Sequence, residues 1–125
     1  MFGLGLLGGG VATTNWLLKH GARVTVTDLK TRKELASSVR KIRGRIALKL
    51  GGHRKEDIKH TDVVVANPDV SVKNPFIQYA LRLGKRVENE ATIFFSLFPA
   101  KIVGVTGTRG KTTTTVWTDH FLKAG

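Results

Sequence analysis

Two glycine-rich stretches, one near each end of the 125-residue chain, carry the residue types that hold phosphate. The second is Gly104-Val105-Thr106-Gly107-Thr108-Arg109-Gly110-Lys111-Thr112. It misses the GxxxxGK[ST] pattern by one position, because Val105 stands where the first glycine belongs and Gly104 comes one residue early. Its working parts are nevertheless there. Gly107 and Gly110 let backbone N–H groups turn toward phosphate oxygens, Lys111 supplies a point charge, and Thr112 offers a hydroxyl to Mg²⁺. A chance glycine-lysine turn is the competing reading, and a strand before the loop with a helix after it argues against that.

The first stretch, Gly3-Leu4-Gly5-Leu6-Leu7-Gly8, matches GxGxxG, and Asp28 follows twenty residues after Gly8. In that arrangement the glycines permit a tight turn and close backbone approach, the helix behind them attracts a diphosphate, and the acid can bond a ribose hydroxyl. Taken alone it suggests NAD. Only Met1 and Phe2 precede Gly3, so either the fold begins with a stub in place of a full first strand or the true start lies upstream. Asn67-Pro68-Asp69 adds a turn after the most apolar strand, where ligands of α/β folds gather, though a plain turn reads equally well.

The elements that would position these residues alternate. Val11–His20 reads as a helix closed by Gly21, and Arg23–Asp28 as a strand ending on the acid. Leu35, Val39 and Ile42 give Thr31–Ile42 one apolar helical face. Arg45–Leu50 alternates like an edge strand with one wet face, whereas the unbroken Val63–Ala66 run within 62–67 suits a strand covered on both faces. Asn74 can cap a helix with Pro75 at its first position and Gly84 at its end. Arg86–Glu88 is a short strand, Glu90–Phe98 a packed helix, Lys101–Val105 a strand and Gly110–Lys123 a helix. The β-branched run Thr112–Thr115 is a poor helix former, so tertiary packing is expected to hold it. The sum is an α/β fold with an open parallel sheet.

Composition narrows the surroundings. With 21 Lys and Arg against 9 Asp and Glu the formal charge is +12, much of it between Lys30 and Lys59. Such a basic stripe suits nucleic acid, a small phosphorylated ligand or plain solvent. It holds no aromatic residue for stacking on bases and no reading motif, which weighs against nucleic acid. There is no cysteine, hence no disulfide framework, and the four histidines lack metal-ligand spacing. No apolar run approaches the roughly 18 residues of a membrane span, and Met1–Leu7 lacks a basic leader. The expectation is a cytoplasmic protein.

Taken together, GLGLLG at Gly3–Gly8, the strand end Val26-Thr27-Asp28, the turn Ala66-Asn67-Pro68-Asp69 and the loop Val105–Thr113 resemble the amino-terminal part of the Mur ligases, the amide-forming enzymes of peptidoglycan precursor synthesis. Within that family the pattern is most similar to the branch that adds D-glutamate to UDP-N-acetylmuramoyl-L-alanine. The resemblance implies a Rossmann-like, UDP-substrate-binding domain over residues 1–89 with a truncated first strand. Residues 90–125 would begin the central ATP-binding domain with the first strand, phosphate loop and helix of a P-loop fold. Leu6 and Leu7 would then lie at the diphosphate, Asp28, Leu29 and Lys30 at the uracil, and Asn67 and Pro68 nearby. ATP would be held by Gly107, Thr108, Arg109, Gly110, Lys111, Thr112 and Thr113. Lys111 and Thr112 would be catalytic, with Thr112 on the Mg²⁺ that accompanies ATP. Arg109 departs from the family's usual asparagine, and Glu90 sits where relatives carry an acid near the domain junction. The implied reaction runs through an acyl phosphate and involves neither nucleic acid nor membrane. The D-glutamate site is absent from these residues, so the chain alone is expected to be inactive. The alternative is a stand-alone NAD- or nucleotide-binding Rossmann module using Asp28 on a ribose.

Overall fold

The computed structural model describes residues 1–124. Among these residues six helices and four strands mostly alternate: α1 Gly9–Lys19, β1 Thr25–Asp28, α2 Ala36–Val39, β2 Ala47–Leu50, α3 Lys55–Lys59, β3 Val63–Val65, α4 Pro75–Arg82, β4 Arg86–Glu88, α5 Glu90–Leu97 and α6 Lys111–Ala124. Strand β1 pairs in parallel with β2, and β3 with β4. What joins the two pairs is the stub ahead of the first glycine. Phe2 bridges in parallel to Thr27 on one side and Ala66 on the other. Its N–H donates to the Val65 carbonyl at 2.7 Å, and its carbonyl accepts from Asn67 N–H at 2.9 Å. Toward β1, Gly3 N–H donates to the Thr27 carbonyl at 2.8 Å, and Thr27 N–H donates to that of Met1 at 2.9 Å. The spatial order is therefore β2, β1, stub, β3, β4, all parallel. Numbered from the stub this is 3-2-1-4-5, a doubly wound order whose direction reverses between stub and β3.

Alternate strand residues face opposite sides of the sheet, which divides the core in two. Leu4, Val11, Val24, Val26 and Leu35 form one cluster, with Leu17, Leu18, Leu48 and Leu50 against it. Phe2, Ile58, Val64, Ala66, Ile77 and Ala80 form the other. Strand β2 keeps the edge role its alternation predicts, Leu48 and Leu50 inward and Ala47 and Lys49 exposed. Val64, Val65 and Ala66 are all buried, as their unbroken apolar run requires.

Caps set several boundaries. Asn74 Oδ1 accepts from Phe76 N–H at 2.9 Å with Pro75 opening α4. Both α1 and α4 end on a left-handed glycine, where Gly21 and Ala22 donate to Leu18 and Leu17, and Gly84 and Lys85 to Leu81 and Ala80. In α5, Asn89 and Thr92 satisfy each other's backbone N–H in a capping box.

Two expectations of secondary structure change, and one helix, α3, has no signal in the sequence. The helix over Thr31–Ile42 contracts to the single turn of α2, and its tail tightens into short bonds from Lys41 to Ser38 and Ile42 to Val39. Ser37, Ser38 and Val39 are weak helix formers, so packing of Leu35, Val39 and Ile42 holds the segment more than helical bonding does. Helix α3 has one buried apolar residue, Ile58, and so no period to read. Lys101–Val105 forms no strand: no neighbouring strand pairs with it, and four of its five residues are exposed. An extended segment needs such a neighbour to satisfy its backbone polar groups, so composition alone does not make it a strand.

Candidate functional site

The carboxyl ends of β1, the stub and β3 bring the first glycine turn, Asp28–Lys30 and Asn67–Pro68 together at the point of reversal. The turn packs on Asn67, whose side-chain atoms would lie 3.2 Å from a Cβ placed at either Gly3 or Gly5. Asn67 Oδ1 in turn accepts from Asp69 N–H at 3.1 Å, holding the Asn-Pro-Asp turn closed. Leu6, Leu7 and Leu29 are exposed at the mouth, Leu7 almost entirely, and Lys30 is exposed beside them. The loop after β2 is tied in as well, with Gly51 N–H on the Lys30 carbonyl and Gly52 N–H on that of Asp28, each at 3.0 Å.

Gly8, at φ 98°, directs the chain into α1, and Gly10 permits the close approach of the helix to Leu4 in the turn. A Cβ on Gly10 would collide with the Leu4 carbonyl oxygen. The packing role that the motif assigns to its third glycine thus falls to Gly10, two residues beyond GLGLLG.

Asp28 is buried, at 6% exposure. Its Oδ2 accepts from Leu4 N–H at 2.8 Å and Gly5 N–H at 3.1 Å, and its Oδ1 from Lys30 N–H at 2.8 Å. Ser38, also buried, donates its hydroxyl to the Gly5 carbonyl at 2.8 Å. Sequence reasoning missed Ser38. A polar residue three positions after Leu35, on the inward side of the Leu35–Val39–Ile42 face, was the available signal.

Two further side chains border the site. His53 stacks on Phe2 with ring centroids 3.7 Å apart, and its Nδ1 lies 2.9 Å from Thr27 Oγ1. Burial pushes its pKa below the usual histidine value, against a smaller opposing pull from Asp28. Glu90 reaches from α5 across the first turn of α1, 3.5 Å from Thr13 Oγ1. Helix α1 has no acid of its own in that turn, where the helix dipole favours one. A cleft of about 430 Å³ opens alongside, walled by Thr13, Trp16, Glu90, Ile93, Phe94 and Phe98.

The second loop is not part of this assembly. Gly107 and Gly110 adopt positive φ, 151° and 78°, and Lys111 Nζ folds back to donate to the Gly107 carbonyl at 2.6 Å. The first helical bond of α6 runs from Thr114 to Gly110, so the N–H groups of Lys111, Thr112 and Thr113 have no partner within the helix. Thr108, Arg109, Thr112 and Thr113 are exposed. No residue of α6 is buried, so tertiary packing does not hold the threonine run. Thr115 and Thr118 instead turn their hydroxyls onto the carbonyls of Lys111 and Thr114, at 2.9 and 2.8 Å.

An open parallel sheet with a glycine turn, an acid and an Asn-Pro turn converging at its reversal point is a doubly wound α/β domain, a class that takes its ligands at that crevice. The family described as Mur ligase MurD-like, N-terminal domain, matches residues 1–89. Over 124 residues the chain is 44% identical to the UDP-N-acetylmuramoylalanine--D-glutamate ligase of Roseiflexus sp. (strain RS-1), covering 98% of this chain and 27% of that protein. The enzyme of the same name from Borreliella afzelii (strain PKo) is 45% identical over 116 residues, 90% of this chain and 25% of its own length. That of Treponema pallidum (strain Nichols) is 37% identical over 127 residues, 99% and 24%. The chain belongs to the MurD-like Mur ligases and corresponds to their amino-terminal part, spanning about a quarter of the length of these relatives.

Proposed function

We propose that the crevice at the sheet reversal binds the uridine diphosphate of UDP-N-acetylmuramoyl-L-alanine, and that the second loop belongs to the ATP site of the same ligase. The observation that carries this reading is a match to relatives of that name through both glycine loops at once. Leu6 and Leu7 would border the diphosphate, with Leu29, Lys30, Asn67 and Pro68 around the base. Gly107, Thr108, Arg109, Gly110, Lys111, Thr112 and Thr113 would hold ATP. The loop suits that role in two respects: glycine φ values that turn the backbone, and unpartnered N–H groups at the start of α6. Mg²⁺ would neutralise phosphate charge, and Thr112 is the residue here whose hydroxyl suits it. Lys111 would leave the Gly107 carbonyl to meet the phosphates.

In the whole enzyme, a carboxylate oxygen of the muramoyl-alanine attacks the terminal phosphorus of ATP, and ADP departs. The amine of D-glutamate then attacks the acyl carbon, loses a proton and expels phosphate. These steps need charge stabilisation already in place around the transferring phosphoryl group, which Lys111 and the loop amides supply only in part. These 125 residues, about a quarter of the length of the relatives, are therefore proposed to be inactive by themselves. The parent would act in peptidoglycan synthesis, supporting cell shape and division, in the cytoplasm where its nucleotide substrates lie. No helix among the described residues is long and apolar enough to cross a membrane.

Calorimetric titration of the chain with UDP-N-acetylmuramoyl-L-alanine and with NAD tests the site. Binding of the first alone supports the proposal, whereas NAD binding alone overturns it in favour of a dinucleotide module. Phosphate release by the isolated chain that depends on both ATP and the two substrates would refute its inactivity.

A further inference from the structure

The hydrogen bonds of Asp28 give this acid a task other than touching a ligand. Resting on the UDP-site reading above, we propose that Asp28, assisted by Ser38, is a positioning residue that sorts the N–H groups of the glycine turn into those held inward and those left for a diphosphate. Its carboxylate is beneath the turn, not at the mouth, and three backbone donors converge on it: Leu4 and Gly5 on Oδ2 and Lys30 on Oδ1. Ser38 takes the Gly5 carbonyl from the same side. Both polar groups of the Gly5 peptide are thereby tied down by side chains from two other elements. No hydrogen bond among the described residues uses the N–H of Leu6, Leu7 or Gly8. The donors available to an anion begin where the grip of Asp28 ends.

The chemistry of the group fits this division. An ionised carboxylate only accepts, through two oxygens, so it can hold three N–H donors with no donor of its own in the way. Exposed at the mouth it would repel a diphosphate. Buried and neutralised by N–H groups it leaves the anion to the next stretch of backbone. Asparagine keeps the size but turns one oxygen into an NH₂ that faces the same donors, so it cannot hold both Gly5 and Lys30.

The test compares wild type with Asp28→Asn and Ser38→Ala, following amide chemical shifts during titration with UDP, inorganic pyrophosphate and uridine. Amide hydrogen exchange is measured on the free proteins. Asp28→Asn is expected to weaken UDP and pyrophosphate about tenfold while leaving uridine unchanged, and Ser38→Ala to do the same about threefold. Exchange should quicken in Asp28→Asn at Leu4 and Gly5, or at Lys30 where the amide keeps its oxygen toward the turn, relative to α4, whose protection reports that the domain is still folded. Equal losses for UDP and uridine would show that Asp28 contacts the nucleoside and overturn the proposal, as would unchanged exchange at Leu4, Gly5 and Lys30 together. If Asp28→Asn does not fold, Ser38→Ala decides: a selective loss of pyrophosphate and UDP supports the proposal, and none overturns it. A wild type that binds neither UDP nor pyrophosphate refutes the UDP site and the ligand-facing half of this inference. The exchange data then judge the clamp by itself.

Discussion

At Gly10 a single hydrogen atom decides whether α1 can lie against the glycine turn. The Cβ of an alanine there would meet the backbone of Leu4, whose N–H is held by Asp28, so helix and glycine turn would have to separate. Gly10→Ala is expected to cost about 1–3 kcal/mol or more, measured by urea denaturation. Gly9→Ala is the control, since its Cβ would meet only the end of the Glu90 side chain at 3.2 Å, and Glu90 is exposed and able to move. Comparable losses in the two variants would refute the backbone collision. The glycine run was plain in the sequence, but its division of labour was not. Spacing marks Gly3, Gly5 and Gly8 as the motif, whereas the distance between two backbones singles out Gly10. Asp28 is a similar case: its place at a strand end could be read, but not the direction of its carboxylate.

Among elements, those with local signals were legible and those needing a partner were not. Helix α4 carries its own instructions in Asn74, Pro75 and Gly84. Asn74→Ala should destabilise the chain by about 1 kcal/mol, because Phe76 N–H loses its acceptor, and a thermal melt would detect this. A melting temperature equal to wild type would mean the cap contributes nothing. Helix α6 buries none of its residues, and its Thr115 and Thr118 hydroxyls bond back onto its own carbonyls. Lys101–Val105 shows the opposite, a strand-like composition without a strand. Strand β3 has the same kind of apolar run and does pair, because β4 on one side and Phe2 on the other complete its hydrogen bonding.

On the scale of the whole molecule, two basic groups are packed at the central stub of the sheet, the Met1 amine within it and His53 stacked on Phe2, in surroundings that favour neutrality. Burial lowers the Met1 amino group from 8.0 to about 6, and it lowers His53 below 6.5. A base whose pKa falls on folding binds more protons unfolded, so stability rises with pH across the gap. The Met1 contribution is complete above pH 8 and disappears as pH falls through about 6, on the order of 3 kcal/mol. The His53 contribution is lost below pH 6.5. Urea midpoints should therefore fall steadily from pH 8 downward. N-terminal acetylation should remove the upper part of the fall and His53→Gln the lower. Midpoints that stay level from pH 8 to 6 would contradict the burial of the Met1 amine.

Period, caps and spacing are local properties of a chain, and by themselves they determined an alternating α/β domain, its edge strand and its covered strand, the two glycine loops and the acid at the end of β1. Tertiary structure decided what depends on groups distant in sequence. It placed a two-residue stub at the centre of a five-member parallel sheet, because β1 and β3 offer it hydrogen bonds from both sides. It set the Asp28 carboxylate under the turn, with Ser38 beside it, where burial demands that every polar group find a partner. It left Lys101–Val105 unpaired for the same reason in reverse, since a strand exists only where a second strand completes it.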